Sequence, residues 1–227
     1  MIKKIKKIFQ LNKSEDFETE SVVDGILRRK YKSYYEYTKK QAEKLNNNFD
    51  VIKTSDLEYE NIVYDRYSKT SFDFKNKMVL CLAARLGGEV PAFKRLGALA
   101  IGIDLNPGPN NKDVLTGDFH NVQFPNNSFD FCFTNSVDHV YNLESFCNEI
   151  KRLLKDDGIL IIEFARVALK KESYEVIDTT NLESLLKYFT QHFKFIKTEE
   201  VINKTDYINW NGQLYYFKNM KKAAKNE

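Results

Sequence analysis

The sequence predicts an α/β protein built on a doubly wound, mostly parallel sheet. Between residues 77 and 164, short apolar runs of strand length alternate with helical patterns. Each run is apolar along its whole length, as expected of parallel strands covered by helices on both faces. The tail is different. It offers two further strand candidates with a short connection, which suits antiparallel pairing at one sheet edge.

The N-terminal quarter reads as helical. Over residues 24–45, Leu27, Tyr31, Tyr34, Tyr35, Ala42 and Leu45 recur at three- and four-residue spacing. Asn46, Asn47 and Asn48 favour a turn and end that segment. Ser55 with Glu58 has the form of a capping box and predicts a shorter helix from Asp56. Arg28, Arg29, Lys30 and Lys32 interleave with the tyrosines and read as a solvated helix face in preference to a substrate or phosphate surface.

After Asn76 the pattern changes. Residues 78–83 form the first apolar run, 89–96 suit a helix stopped by Gly97, and 99–103 form a second run closing on Asp104. Residues 106–109 are a turn, 113–116 a third strand and 129–134 a fourth. A helix over 143–154 turns inward Phe146, Ile150, Leu153 and Leu154. The turn 156–158 then leads into a fifth strand over 159–164. In the tail, 182–189 is helical, and 193–202 and 213–217 are strands joined through a turn at 209–212. The chain thus divides into an N-terminal helical extension or lid, 1–76, and a main domain, 77–227.

Composition narrows the function. A length of 227 residues favours one domain, and 42% hydrophobic content is enough for a core. With 35 basic and 32 acidic residues the net charge is +3, too balanced for a nucleic-acid partner on charge alone. Cys81, Cys132 and Cys147 make no CxxC pair and read as small buried hydrophobes in a reducing compartment. No metal pattern joins them to the three histidines. No apolar run reaches the length of a membrane span. Residues 1–9 are basic and amphipathic, which allows a weak membrane-surface contact, but they lack the features of a secretory signal. The expected location is the cytoplasm. The oligomeric state is left open.

Ligands of an open parallel sheet bind outside the carboxyl ends of its strands. Here the first strand leads through Ala83, Ala84, Arg85, Leu86, Gly87 and Gly88 into a helix, whose N-terminus offers free N–H groups. The second strand ends at Asp104, placed to accept from both hydroxyls of an adenosine ribose. A dinucleotide fingerprint would need glycines at 83 and 85, and Glu89 would repel a pyrophosphate.

Together, Val79–Gly88, Gly102-Ile103-Asp104, Gly117-Asp118-Phe119, Asn127-Ser128-Phe129-Asp130 and Leu153–Gly158 resemble class I S-adenosylmethionine-dependent methyltransferases. The resemblance covers about residues 77–163, with the tail similar to that family's last helix and reversed strand. It implies a Rossmann-like, seven-stranded sheet with a reversed last strand, preceded by N-terminal helices, and S-adenosyl-L-methionine as cofactor. It implies that Cys81, Ala83, Ala84, Arg85 and Gly87 surround the methionine part of the cofactor. Asp104 would bind the ribose, Leu105 lie against the adenine, Asp118 accept from the adenine amino group, and the Phe119 N–H meet a ring nitrogen. Asn135 would border the methyl-transfer pocket.

The family pattern has an acid in place of Cys81 and glycines in place of Ala83 and Arg85. Arg85 is suited to a charge-assisted pair with the cofactor's carboxylate. The alternative is that it fills the cleft and leaves a catalytically silent binding or regulatory protein. If the acceptor needs a general base, Asp138 and His139 stand just past the fourth strand; a capping or second-layer role at the next helix is the other reading of His139. His120 reads as a cofactor-rim residue. The acceptor is expected to be a small molecule or biosynthetic intermediate. Its pocket is expected to be built from the N-terminal helices, residues 166–180 and the Trp210 region, with Tyr31 or Tyr35 lining the lid near Asn135.

Overall fold

A computed structural model describes residues 17–170, 174–206 and 208–220, so residues 1–9 lie outside the described residues. Its core is a seven-stranded sheet in the order β5-β4-β3-β6-β7-β9-β8. These strands are β3 (Met78–Leu82), β4 (Leu99–Asp104), β5 (Val114–Thr116), β6 (Phe129–Thr134), β7 (Leu154–Ala165), β8 (Lys194–Lys204) and β9 (Asn209–Lys218). The ladders from β5 through β7 are parallel, while β9 runs antiparallel to both β7 and β8. The reversed last strand of the family pattern is therefore present.

Side-chain alternation explains how the sheet is covered. Leu80, Leu82, Cys132, Leu160 and Ile162 point to one face, under α3 (Leu143–Leu153) and α4 (Leu182–His192). Their neighbours Val79, Cys81, Phe131, Phe133 and Ile161 point to the other, under α2 (Glu89–Arg95) and the second half of α1 (Tyr34–Tyr67). Both faces are buried, which is why these strands read as unbroken apolar runs. All three cysteines are buried in this core without a disulfide.

The N-terminal quarter corrects the helical reading. Residues expected to begin a helix at Asp24 instead form a hairpin, β1 (Phe17–Val23) paired antiparallel with β2 (Ile26–Tyr31). Asp24 and Gly25 sit at φ +54° and +75°, the left-handed pair that a tight two-residue hairpin turn needs. The helix starts at Tyr34, capped by Ser33, whose Oγ accepts from the Glu36 N–H. It runs on to Tyr67 with a kink at Asn48, where φ is −136°. The Asn48 side chain donates to the Lys44 carbonyl at 3.0 Å, one turn back in the helix. Ser55 caps nothing; it lies inside the helix and donates to the Ile52 carbonyl.

Two further boundaries differ. Residues 156–158 are a bulge within β7, with Asp157 at φ +65°, rather than a turn before it. Residues 209–212 belong to β9, and the hairpin closes earlier, where the Thr205 N–H donates to the Ile208 carbonyl.

α1 is tied to the sheet by a buried charge network. Glu163 on β7, 1% exposed, accepts from Tyr59 Oη at 2.5 Å and Asn203 Nδ2 at 3.0 Å, and pairs with Arg66 at 2.8 Å. Both carboxylate oxygens are satisfied, so the charge is compensated where water is excluded.

Candidate active site

A cleft of about 190 Å³ opens at the carboxyl ends of β3, β4 and β6. One wall comes from the sheet: Ala83, Arg85, Asp104, Leu105, Phe119 and Asn135. The other comes from α1: Tyr37, Gln41, Lys44, Leu45 and Ile52. Asp138, His139, Glu175 and Trp210 complete one end. A second cavity of about 320 Å³, lined by Ser55, Tyr59, Ile208 and Asn209, shares Arg85, Asn135 and Trp210 with the first.

The loop after β3 adopts left-handed backbone at two positions that are not glycine. Ala83 and Arg85 sit at φ +55° and +51°, and Gly87 at +91°. Left-handed backbone at a residue with a Cβ costs on the order of 1 kcal/mol or more, so the surroundings must hold it. They do. The Ala84 N–H donates to the Ile103 carbonyl at 3.0 Å, and the Arg85 N–H donates to Asp104 Oδ2 at 2.8 Å. From the far side, Asp56 of α1 accepts from the Leu86 N–H and pairs with the Arg85 guanidinium at 3.3 Å. A Cβ on Gly88 would lie 2.3 Å from the Asp56 carbonyl oxygen. This glycine is required by the helix that docks there.

Asp104 accepts from the Arg85 and Asn106 N–H groups, one on each oxygen at 2.8 Å. Each oxygen keeps a lone pair for a hydroxyl donor in the cleft. Burial raises its carboxyl above the usual range, against the two N–H donors. Asp118 is differently placed and does not line the cleft. Its Oδ1 accepts from the His120 N–H and from Nδ1 at 2.8 Å, and its Oδ2 accepts from the Tyr34 hydroxyl. Burial pushes its carboxyl up, but these donors outweigh burial and hold it below the usual range.

Some expected positions lie beneath the cleft. Cys81 is fully buried in the core, Ala84 is 2% exposed, and Gly87 packs over Val114. None of these three lines the cavity. Of the lid tyrosines, Tyr31 is buried elsewhere and Tyr35 is 71% exposed, so neither faces Asn135; Tyr37 takes that place. The three- and four-residue spacing does not give the helix face: Leu27 and Tyr31 lie on β2, Tyr34 and Tyr35 are exposed, and α1 buries Tyr37 and Leu45 instead.

Asp138 and His139 lie together on the 3-10 turn Val137–His139. The cap of α3 is Asn142, so His139 is not needed for that role. Its Nδ1 lies 3.1 Å from the Tyr174 carbonyl, which can only accept; Nδ1 therefore carries the proton and Nε2 is an acceptor. Lys44 Nζ donates to that Nε2 at 2.9 Å. Burial, then Lys44, keeps the imidazole from charging, and burial raises Asp138 to about 6. Ligand atoms of Asp138, His139 and Glu175 lie within 4.8 Å of one another, close enough for a metal ion. The cation on the Nε2 lone pair is instead Lys44.

Lys44, Glu175, Gln41 and Asp56 carry no motif in the sequence. Glu175 is placed by a second contact chain: the Val176 and Ile177 N–H groups donate to the Asp138 carbonyl, and β2 bonds to Val176 and Asp178.

Residues 80–162 match the family model described as a methyltransferase domain. No curated protein sequence matches the chain. Among solved structures, it is similar to the Burkholderia thailandensis 1,6-didemethyltoxoflavin-N1-methyltransferase, crystallised with 1,6-didemethyltoxoflavin and S-adenosylhomocysteine. There the identity is 13% and the TM-score 0.63, over 90% of this chain and all of that one. It is also similar to the [4+2]-cyclase SpnF, at 15% identity and TM-score 0.55, over 70% of this chain and 80% of that one. A Pyrococcus horikoshii protein matches at 20% identity and TM-score 0.51, over 70% and 89% respectively. No helix among the described residues is long and apolar enough to cross a membrane. Residues 80–162 thus match a methyltransferase domain, and the sheet order with its reversed β9 is that of the Rossmann-like methyltransferase fold.

Proposed function

We propose that the chain is an S-adenosylmethionine-dependent methyltransferase with a small-molecule acceptor. The observation that carries this is the convergence of Ala83, Asp104, Phe119 and Asn135, from the ends of separate strands, on one cleft. The residues present fit the cofactor. Asp104 has acceptor capacity for both ribose hydroxyls, and Leu105 and Phe119 give apolar faces for an adenine, while Asp118, outside the cleft lining, is bonded to His120 and Tyr34. Arg85 lies where the two cavities meet, and we assign it to the cofactor's carboxylate while Asp56 balances its remaining charge.

When bound, S-adenosylmethionine supplies an already activated methyl group. The residues of this chain have to align the acceptor and exclude water. α1, with Tyr37, Gln41 and Lys44 over the cleft, is suited to the lid. Asp138, poised near neutrality, is suited to take a proton from the acceptor, and His139 to hold its surroundings fixed. A small acceptor is supported by the size of the cleft and by the Burkholderia relative, similar over 90% of this chain.

Arg85 in the loop favours one second reading, a silent protein in which the guanidinium blocks the methionine site. Calorimetry with S-adenosylhomocysteine separates the two. Micromolar binding is expected, and no heat at millimolar ligand would sink the enzyme reading.

A further inference from the structure

We propose that Lys44 is a catalytic residue that holds the ionised form of a weakly acidic acceptor, such as a phenol, an enol or a ring N–H, while Asp138 takes its proton. The inference deepens the methyltransferase reading and rests on it for the ligand next door. Lys44 lies in α1, outside the segment that matches the methyltransferase model, residues 80–162.

The geometry is specific. Because Nδ1–H of His139 is committed to the Tyr174 carbonyl, Lys44 must donate to Nε2, which fixes one of its three N–H groups. Lys44 lines the same cleft as Asn135, Asp138 and Glu175, so its two remaining N–H groups are within the site that would receive the acceptor. Burial, then Arg85, lowers the Lys44 pKa, while Asp138 and Glu175 act to keep the charge. Such an ammonium gains from meeting a new anion.

The charges around it select the acceptor. From the loop comes Arg85, from β4 Asp104, from the 3-10 turn Asp138 and neutral His139, and from the following segment Glu175. An acceptor arriving as an ammonium would set a third cation beside Lys44 and Arg85. An aliphatic alcohol holds its proton too tightly for a carboxyl group that titrates at about 6. A weakly acidic O–H or N–H fits. Its bond to hydrogen breaks, the proton passes to Asp138 Oδ2, the electron pair stays on the acceptor atom, and Lys44 balances that charge.

The test uses 4-nitrophenol, whose ionised form absorbs in the visible, with the full chain saturated in S-adenosylhomocysteine. At a pH where the free phenol is mostly un-ionised, the bound probe should show the phenolate band. Lys44→Met should reduce the ionised fraction about tenfold, and Lys44→Arg should restore most of it, with unfolding temperatures confirming that both variants fold. A probe that binds neutral or fails to bind, or a band that persists in Lys44→Met, overturns the proposal. So does a band abolished by EDTA, which would assign the role to a metal on Asp138, His139 and Glu175. Calorimetry keeps the two readings apart. If S-adenosylhomocysteine does not bind, the methyltransferase reading falls, while the band measured without it still judges Lys44.

Discussion

The two walls of the cleft are built on different principles. The sheet wall places Ala83, Asp104, Phe119 and Asn135 at strand ends, where the topology of a doubly wound sheet puts any ligand site. The α1 wall is a helix laid across that site and held by contacts distant in sequence: Asp56 to the loop, Tyr59 and Arg66 to Glu163, Lys44 to His139. The sheet wall follows from the fold. The helix wall lies outside the segment that matches the methyltransferase domain, and its contacts are not dictated by the sheet.

The largest expected effect breaks the helix wall away. Glu163→Ala leaves Arg66 without its buried counter-charge and should cost about 3–5 kcal/mol in urea unfolding. A loss below 1 kcal/mol would mean that the network does not fasten α1.

The next test compares acids on the two sides of the loop. Burial raises Asp138 from 3.8 to about 6 and, on α2, Glu89 from 4.5 to about 8. The folded chain therefore holds protons that the unfolded chain has released. That stability is fully present below the unfolded values and is lost as pH rises through about 6 for Asp138 and about 8 for Glu89. Urea titrations should show Glu89→Gln flattening the upper part of this slope and Asp138→Asn the lower. His139, kept neutral by burial, works in the opposite sense below its unfolded value of 6.5. The test is therefore the difference from wild type: a Glu89→Gln or Asp138→Asn curve with the wild-type slope would contradict that assignment.

Smaller effects sharpen the loop itself. Gly88→Ala forces a Cβ against the Asp56 carbonyl and should cost about 1–3 kcal/mol, whether or not a ligand is present. Ala83→Gly relieves a left-handed residue and should raise stability by about 1 kcal/mol. Thermal unfolding reads both, and a destabilised Ala83→Gly would remove the claim of strain.

The same contrast explains what the sequence disclosed. The strands from Met78 to Phe164 were legible because each is buried on both faces, and Asp104 because it closes an apolar run. The hairpin at Asp24-Gly25 was missed although that pair is a strong turn signal, since the apolar spacing around it also suits a helix. Lys44, Asp56 and Glu175 were not legible. Single charged residues acquire a role only when folding brings α1 and residues 174–178 against the loop and the 3-10 turn. Gly88 was legible as a glycine but not for its reason, a backbone contact with residue 56.

Asp104 is the proposed anchor of an adenosine ribose in this cleft. Calorimetry of S-adenosylhomocysteine against the wild-type chain and Asp104→Ala tests it directly. Losing two hydrogen bonds to a carboxylate should weaken binding by about 100-fold or more, with the variant still folded. Equal affinity in the two proteins would contradict the assignment and, with it, the placement of the cofactor.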